Sequence, residues 1–220
     1  MNATQLPRAS PACQDRSVRR LLALVLAPTP VALALAAGCG TATDGAAFDA
    51  GHLDGPYHPD ASCLVTIDTP AFGAATHIDE GTPITYASNP PAGGPHYPRW
   101  ARFGAHDDVV PRPYYVHDME HGAVVLLYKC DADAGSCAAQ AKAFLSQVVA
   151  ALPNDPACAP DVRVRTVTTA DPLIPTPFAA AAWGWTYTSA CADLPSLVDF
   201  VKAHYAHAPE DECANGTYPP

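Results

Sequence analysis

The sequence predicts an α+β domain in which two main helices pack on a mixed or mostly antiparallel sheet, within a frame of disulfides. Two segments, 136–152 and 194–207, have apolar residues at the spacing of amphipathic helices. Short apolar and β-branched runs precede and separate these segments, as is typical of strands. Six cysteines follow residue 60, and an even number of cysteines in a small domain is typical of exported proteins with disulfides.

The first 38 residues have the features of a lipoprotein signal peptide. An apolar run from Leu21 to Ala37 follows three arginines, Arg16, Arg19 and Arg20. Small residues then lead to Cys39, in a pattern that resembles a bacterial lipobox. We therefore expect Cys39 to carry a lipid that anchors the protein to the membrane. The alternative is ordinary signal-peptidase cleavage and release, whereas two prolines in the run argue against a retained membrane span.

Residues 39–60 are rich in Gly, Ala, Asp and Pro without periodicity, so they are expected to form a flexible tether. Residues 61–220 are then expected to form a single α+β domain, which export would place in the bacterial cell envelope. From Cys39 onward the chain has 8 basic and 21 acidic residues, which is a net charge of −13. Such a surface repels nucleic acid, which is excluded as a partner, and the sequence identifies no particular protein partner.

Strands are predicted at four places in this domain. Cys63–Ile67 is a short β-branched run, 123–128 is a buried apolar run, and 162–168 alternates valine with arginine or threonine. The Ala-rich and aromatic segment 178–188 is expected to be one central strand. Residues 89–98 contain four prolines and two glycines, so this segment is expected to be a stiff loop that other backbone can approach closely.

The two predicted helices alternate with the strands. The helix at 136–152 is expected to face inward with Ala139, Ala143, Phe144, Val148 and Ala151. The helix at 194–207 is expected to face inward with Leu197, Phe200, Val201 and Tyr205. The order of elements indicates a ferredoxin-like or split β-α-β arrangement.

Six cysteines of the domain are candidates for three disulfides: Cys63, Cys130, Cys137, Cys158, Cys191 and Cys213. Fifteen pairings are possible in principle. Cys130 and Cys137 flank a short Asp/Ala/Gly turn and are the easiest pair to close. A bond between Cys63 and Cys213 is expected to tie the two ends of the domain. No pair has Cys-x-x-Cys spacing, so thiol catalysis is not expected.

Histidines and carboxylates concentrate in two short pieces of the chain. His96 lies in the stiff loop, and the segment from His117 to His121 has the pattern H-x-x-E-H, which in inverzincins lies on a helix and binds zinc. Gly122 and a strand follow immediately, so we expect an extended lead-in to the strand in place of a helix. In an extended segment His117, Met119 and His121 share one face.

This geometry predicts a site for a transition metal, either copper or zinc, or for a small ligand. The expected metal ligands are His96, His117 and His121. The thioether of Met119 would favour copper(I). Asp118 and Glu120, on the other face, are expected to orient the imidazole rings by hydrogen bonds. The expected walls of the site are Tyr97, Tyr115 and Trp183.

Two other functions are compatible with the same residues. In a zinc-dependent hydrolase, Glu120 would be the catalytic general base that activates water on the metal. In a non-catalytic envelope module, the histidines would only hydrogen-bond to the main chain of a loop-rich core. Whether the protein is an enzyme is left open.

Four motifs resemble a known family. They are Pro90-Pro91-Ala92-Gly93-Gly94-Pro95-His96-Tyr97, Val116-His117-Asp118-Met119-Glu120-His121-Gly122-Ala123-Val124-Val125, Ala182-Trp183-Gly184, and Ala208-Pro209-Glu210 followed by Cys213. With these motifs, residues 80–213 resemble domain of unknown function 3105. The resemblance implies an exported bacterial protein, often with an N-terminal membrane anchor, and no established activity. The family more usually has leucine in place of Met119, which implies an apolar core contact and weakens the copper(I) interpretation.

Overall fold

A computed structural model of the chain describes residues 63–130 and 136–219. The predicted signal peptide, the lipidation site at Cys39 and the tether of residues 39–60 lie outside the described residues. Within the described part of the chain, no helix is long and apolar enough to cross a membrane.

A six-stranded sheet and three helices make up the described regular structure, so the predicted α+β class with a mixed sheet is confirmed. The strands are β1 (Val65–Asp68), β2 (Gly104–Ala105), β3 (Val124–Tyr128), β4 (Thr166–Ala170), β5 (Phe178–Ala182) and β6 (Trp185–Ser189). The helices are α1 (Arg112–Glu120), α2 (Cys137–Ala150) and α3 (Leu194–His204). The strand order is β1-β6-β5-β3-β4-β2. The helices α2 and α3 confirm the two predicted helices, and α1 was not expected.

The strand β3 lies inside the sheet and is buried along its whole length. It pairs in parallel with β4 and antiparallel with β5. Because parallel strands need a crossover connection, the intervening segment forms α2. The pair β3 and β4 is therefore a β-α-β unit with adjacent strands. The strand β2 also pairs in parallel with β4, so β4 lies between β2 and β3, and the succession β2, α1, β3 has the predicted split β-α-β arrangement.

The predicted single strand at 178–188 is a hairpin. Ala182 pairs with Trp185, so β5 and β6 are joined by the two residues Trp183 and Gly184. Gly184 has a φ of +83°, which a tight hairpin turn requires and which glycine adopts without steric cost. Trp183 therefore lies in a turn at the end of the sheet and not on a central strand.

The strand β4 begins later than predicted, at Thr166 instead of residue 162. The segment before it is tied to the end of α2, since the Arg163 guanidinium donates a hydrogen bond to the Leu152 carbonyl at 2.8 Å. Arg165 is also buried, although it alternates with valine in the sequence. The alternation of Val and Arg therefore predicted an exposed face that the fold covers at Arg165 and leaves open at Arg163.

Two apolar clusters cover the opposite faces of the sheet, because alternate residues of β3 belong to different clusters. Helices α2 and α3 pack on one face, and α1 packs on the other with Tyr115, Val116 and Met119. The inward face of α2 carries Ala141, Leu145 and Val148, whereas the predicted Ala139 and Ala143 are exposed. The helix is rotated so that the larger Leu145 is buried, which removes more apolar area from water than alanine would.

Three disulfides join the six predicted cysteines. Cys130–Cys137 confirms the expected local pair. The expected Cys63–Cys213 bond is wrong, since the bonds are Cys63–Cys191 and Cys158–Cys213. The antiparallel register of β1 and β6 decides the first of these. Val65 lies opposite Ser189, so Cys63 and Cys191 come together beyond the same strand ends, with 5.4 Å between their Cα atoms.

Candidate functional site: a histidine and glutamate cluster

The segment before β3 is the helix α1, so the predicted extended lead-in is wrong. The helix starts after Pro111 and has Pro113 in its first turn, where a missing N–H costs nothing. It ends at Glu120 and His121, and Gly122, with a φ of +87°, turns the chain into β3. Nine residues are therefore enough for a helix that presents the H-x-x-E-H pattern.

Helical geometry changes which side chains of the motif share a face. Residues three and four apart lie together, so His117, Glu120 and His121 are neighbours and Met119 points to the opposite side. Met119 is fully buried in the apolar cluster between α1 and the sheet. This is the apolar core contact that the family resemblance implied, and it keeps the thioether away from the histidine site.

The loop that carries His96 is held by backbone pairing with a distant segment. The amide of His96 donates to the Thr76 carbonyl at 3.0 Å, and the Ile78 amide donates to the His96 carbonyl at 2.7 Å. This short parallel bridge places His77 beside His96. Gly93, with a φ of +140°, allows the loop to pack closely on Phe72, as expected of its glycines.

Four side chains converge at the end of α1, and we call them the histidine cluster: His77, His96, His117 and Glu120. One ligand atom from each lies within 4.8 Å of those of the other three. The ring centroids of the three histidines are 4.6 to 5.0 Å apart. His77 is exposed, whereas the other three residues are buried. The cluster is therefore a buried site that opens to solvent at His77.

Main-chain carbonyls orient the two buried rings of the cluster. Nδ1 of His96 lies 2.9 Å from the Gly94 carbonyl, and Nδ1 of His117 lies 2.6 Å from the Tyr97 carbonyl. Because a carbonyl only accepts, each Nδ1 carries the proton and each Nε2 can offer a lone pair. This is the tautomer that a metal ligand needs.

Within the cluster, Nε2 of His96 lies 2.9 Å from Oε2 of Glu120. The two atoms are close enough for an ion pair, but they are not aligned as a hydrogen bond, and His96 Nε2 has no hydrogen-bond partner among the described residues. A ring lone pair and a carboxylate at this distance repel each other unless a proton or a cation lies near both. The arrangement therefore favours a positive charge inside the cluster.

The pKa of His117 is lowered to about 3, mainly by burial and also by the neighbouring His96, His121 and His77, against the hydrogen bond to the Tyr97 carbonyl. A positive ring is disfavoured there because water is excluded and other imidazoles are close. At neutral pH His117 is thus an uncharged imidazole, ready to act as a ligand without releasing a proton.

The structure divides the predicted ligand set. His121 lies beside His117, with 4.6 Å between ring centroids, but its Nε2 is 3.2 Å from Oε2 of Glu210. Ligand atoms of Glu120, His121 and Glu210 form a second set, also within 4.8 Å of one another. Glu120 belongs to both sets, so its carboxylate lies among the groups that could hold a metal and not behind a histidine ring.

Asp118 was expected to orient the histidine rings, but it faces a different segment. Its Oδ2 accepts a hydrogen bond from the Ala101 amide at 3.0 Å. Burial raises the pKa of this carboxyl well above its usual range. Asp118 thereby fixes the chain next to Trp100, whose ring is 5.1 Å from His117 and 4.6 Å from His121.

The three expected wall residues have different positions. Trp183 borders the cluster, with its ring centroid 6.4 Å from that of His96. Tyr97 contributes its carbonyl, while its hydroxyl donates to the Thr82 carbonyl at 3.0 Å. Tyr115 donates to Asp171 at 3.0 Å, in a separate buried group with Arg112, and does not line the site.

Three residues next to the site were missing from the predicted set: His77, Trp100 and Glu210. His77 and Glu210 are far from α1 in the sequence and reach it only through backbone pairing. Glu210 lies in the Ala-Pro-Glu motif before Cys213, which is the one sequence signal that could have indicated its place.

The fold and the site together define a disulfide-framed α+β domain with a buried histidine and glutamate cluster. Residues 77–216 match the model of the family described as "Protein of unknown function (DUF3105)", so the chain belongs to this family. The match confirms the resemblance drawn from the motifs and begins at His77, the first residue of the cluster. Comparison with curated proteins and with solved structures gave no match.

Proposed function

We propose that this domain binds a divalent transition-metal ion through His77, His96, His117 and Glu120. The observation that supports this best is the convergence of four ligand atoms within 4.8 Å in a mostly buried site. On a tetrahedral zinc ion with bonds of about 2.1 Å, ligand atoms are about 3.4 Å apart. Side-chain movements of about 1 Å would therefore close the four groups around an ion.

The donor types favour zinc, with copper(II) as the next candidate. Three imidazoles and one carboxylate are ligands of borderline hardness that suit both ions, whereas copper(I) prefers thioether and thiolate ligands. Met119, the one methionine among the described residues, is buried elsewhere, so its thioether does not support copper(I). Four protein donors would also occupy all four coordination positions of a tetrahedral ion. Such full coordination by protein is typical of structural sites, and it leaves no open position for catalysis. Glu120 as a ligand is not available as a general base, which argues against the hydrolase alternative.

Metal analysis of the mature chain, purified without a histidine tag, tests this proposal. We expect at least one zinc ion per chain after dialysis against micromolar zinc, measured by mass spectrometry of the metal content. His117→Asn should lower zinc affinity by about 100-fold, since it removes a buried ligand. His106→Asn is the matched control, because His106 is half-buried outside the histidine cluster, where its Nε2 lies 2.7 Å from the Arg102 carbonyl. A folded protein that binds no metal would leave the envelope-module alternative in its place.

We also propose that the protein is exported and held in the bacterial cell envelope by a lipid on Cys39. Three disulfides among the described cysteines support an oxidising compartment. After expression with a clickable palmitate, we expect the wild-type chain to be labelled and to partition into detergent. Cys39→Ala should lose the label and move to the aqueous phase. An unlabelled wild-type chain found in the aqueous phase would support ordinary cleavage and release.

A further inference from the structure

A second group of ligands adjoins the histidine cluster and shares one residue with it. Glu120, His121 and Glu210 place their ligand atoms within 4.8 Å of one another. Glu120 and His121 are buried, and Glu210 is exposed. The proposed function uses neither His121 nor Glu210, so this group has no role in the site described so far.

Glu210 is held in place by main-chain contacts of the segment 206–211. The Ala206 amide donates to the Gly122 carbonyl at 2.8 Å, and the Glu210 amide donates to the Glu120 carbonyl at 3.0 Å. Arg165 adds a further link, because its Nη1 donates both to the His121 carbonyl and to Asp211. Glu210 is therefore positioned over the end of α1 and is not a loose surface carboxylate.

His121 provides an independent sign of a ligand. Its ring is buried, yet Nδ1 has no hydrogen-bond partner among the described residues. The other nitrogen, Nε2, faces the carboxylate of Glu210 at 3.2 Å. Buried polar atoms are normally satisfied, so the unpartnered Nδ1 of His121 favours a ligand beside this ring. The C-terminal end of α1, where the helix dipole is negative, also favours a cation.

We propose that the carboxylate of Glu120 bridges two divalent metal ions, the second of which is bound by Glu120, His121 and Glu210. This inference rests on the proposed function, since a bridge requires the first ion in the histidine cluster. Paired ions in proteins are about 3.5–4 Å apart, a separation that one carboxylate can span. The second site has three protein donors, so its ion keeps a position for water or a small anion and exchanges more readily than the first.

Zinc stoichiometry separates the two sites. The metal-stripped mature chain, without a histidine tag, is equilibrated with buffered zinc, and bound zinc per chain is measured after dialysis. We expect two ions in the wild type and one in Glu210→Gln. Asp108→Asn is the matched control, because it removes one carboxylate charge at an exposed residue outside both ligand groups, and it should keep two ions.

The other results of this titration contradict the inference in distinguishable ways. One ion in both the wild type and Glu210→Gln would remove the second site and leave the proposed function intact. No ion in any protein would remove both proposals. Loss of all zinc in Glu210→Gln would show one site that includes Glu210, which also contradicts a bridged pair.

The bridge itself is tested with copper(II) in place of zinc. Two copper(II) ions that share a carboxylate couple magnetically, so the integrated electron paramagnetic resonance signal should be well below the total copper bound. In Glu210→Gln the signal should equal the single copper ion that remains. Two bound ions with a full, uncoupled signal in the wild type would overturn the bridging role of Glu120.

Discussion

Replacement of Gly122 by alanine is expected to lower the free energy of unfolding by about 3–5 kcal/mol, a loss that few single substitutions reach. Residue 122 has a φ of +87°, which strains any side chain. A Cβ atom there would also lie 2.9 Å from Cα of Ala206 and 3.1 Å from Nη1 of Arg165. Since Ala206 is contacted through its backbone, the clash cannot be relieved by a change of rotamer. Urea denaturation of the two proteins measures the difference.

Gly81 provides a matched control for the backbone strain alone. Its φ is +88°, but a Cβ atom added there would have no neighbour within 4 Å. We therefore expect Gly81→Ala to cost only about 1–2 kcal/mol, the cost of a left-handed backbone for a residue with a side chain. Equal losses in the two variants would show that the contact with Ala206 contributes nothing.

The expected effect of Gly122→Ala connects stability to the proposed metal sites. Gly122 ends α1 directly after Glu120 and His121, and its carbonyl accepts the hydrogen bond from Ala206. The segment that carries Glu210 can approach α1 only because residue 122 has no side chain. The same substitution should therefore displace Glu210 from His121.

Removal of the Cys63–Cys191 disulfide is expected to have an effect of similar size. The bond closes a loop with a sequence separation of 128 residues. By the chain-entropy relation, such a loop stabilises the folded state by about 5 kcal/mol through the unfolded chain. We expect Cys63→Ala/Cys191→Ala to lower the free energy of unfolding by about this amount, measured by urea denaturation under non-reducing conditions.

The Cys130–Cys137 bond is the comparison for this prediction. Its sequence separation is 7, and the same relation predicts a loss of about 2.4 kcal/mol for Cys130→Ala/Cys137→Ala. Both double variants lose the same atoms. The expected difference of about 2–3 kcal/mol between their losses in unfolding free energy therefore reports the effect of loop length alone. A larger loss from the short loop would show that local strain or packing outweighs chain entropy at these sites.

Helices and strands with a local pattern were predictable from the sequence. The amphipathic spacing of α2 and α3, and the continuous apolar run of β3, act over neighbouring residues only. The helix α1 has no such pattern, because its residues from Tyr114 to Glu120 are all buried, polar ones included. A helix that is covered on every side shows no amphipathic periodicity, so its sequence resembled an extended segment.

The location of the candidate site was also predictable in part. His96, His117 and Glu120 lie in two motifs that are rich in histidines and carboxylates and are flanked by prolines and glycines. The structure brings these three side chains together. His77 and Glu210 could not be predicted, because each is 40 or more positions away from the helix residues that it meets. Only the backbone bridge at His96 and the hydrogen bond to the Glu120 carbonyl bring them to the site.

The sequence by itself determined the α+β class, the family, the number of candidate disulfides and the two motifs of the site. These follow from composition, periodicity and residue type, which are properties of short stretches of chain. Tertiary structure alone decided the cysteine pairing, the helical form of α1 and the division of the histidines between two ligand groups. Those features depend on strand register and on contacts between distant segments, which local sequence patterns do not predict.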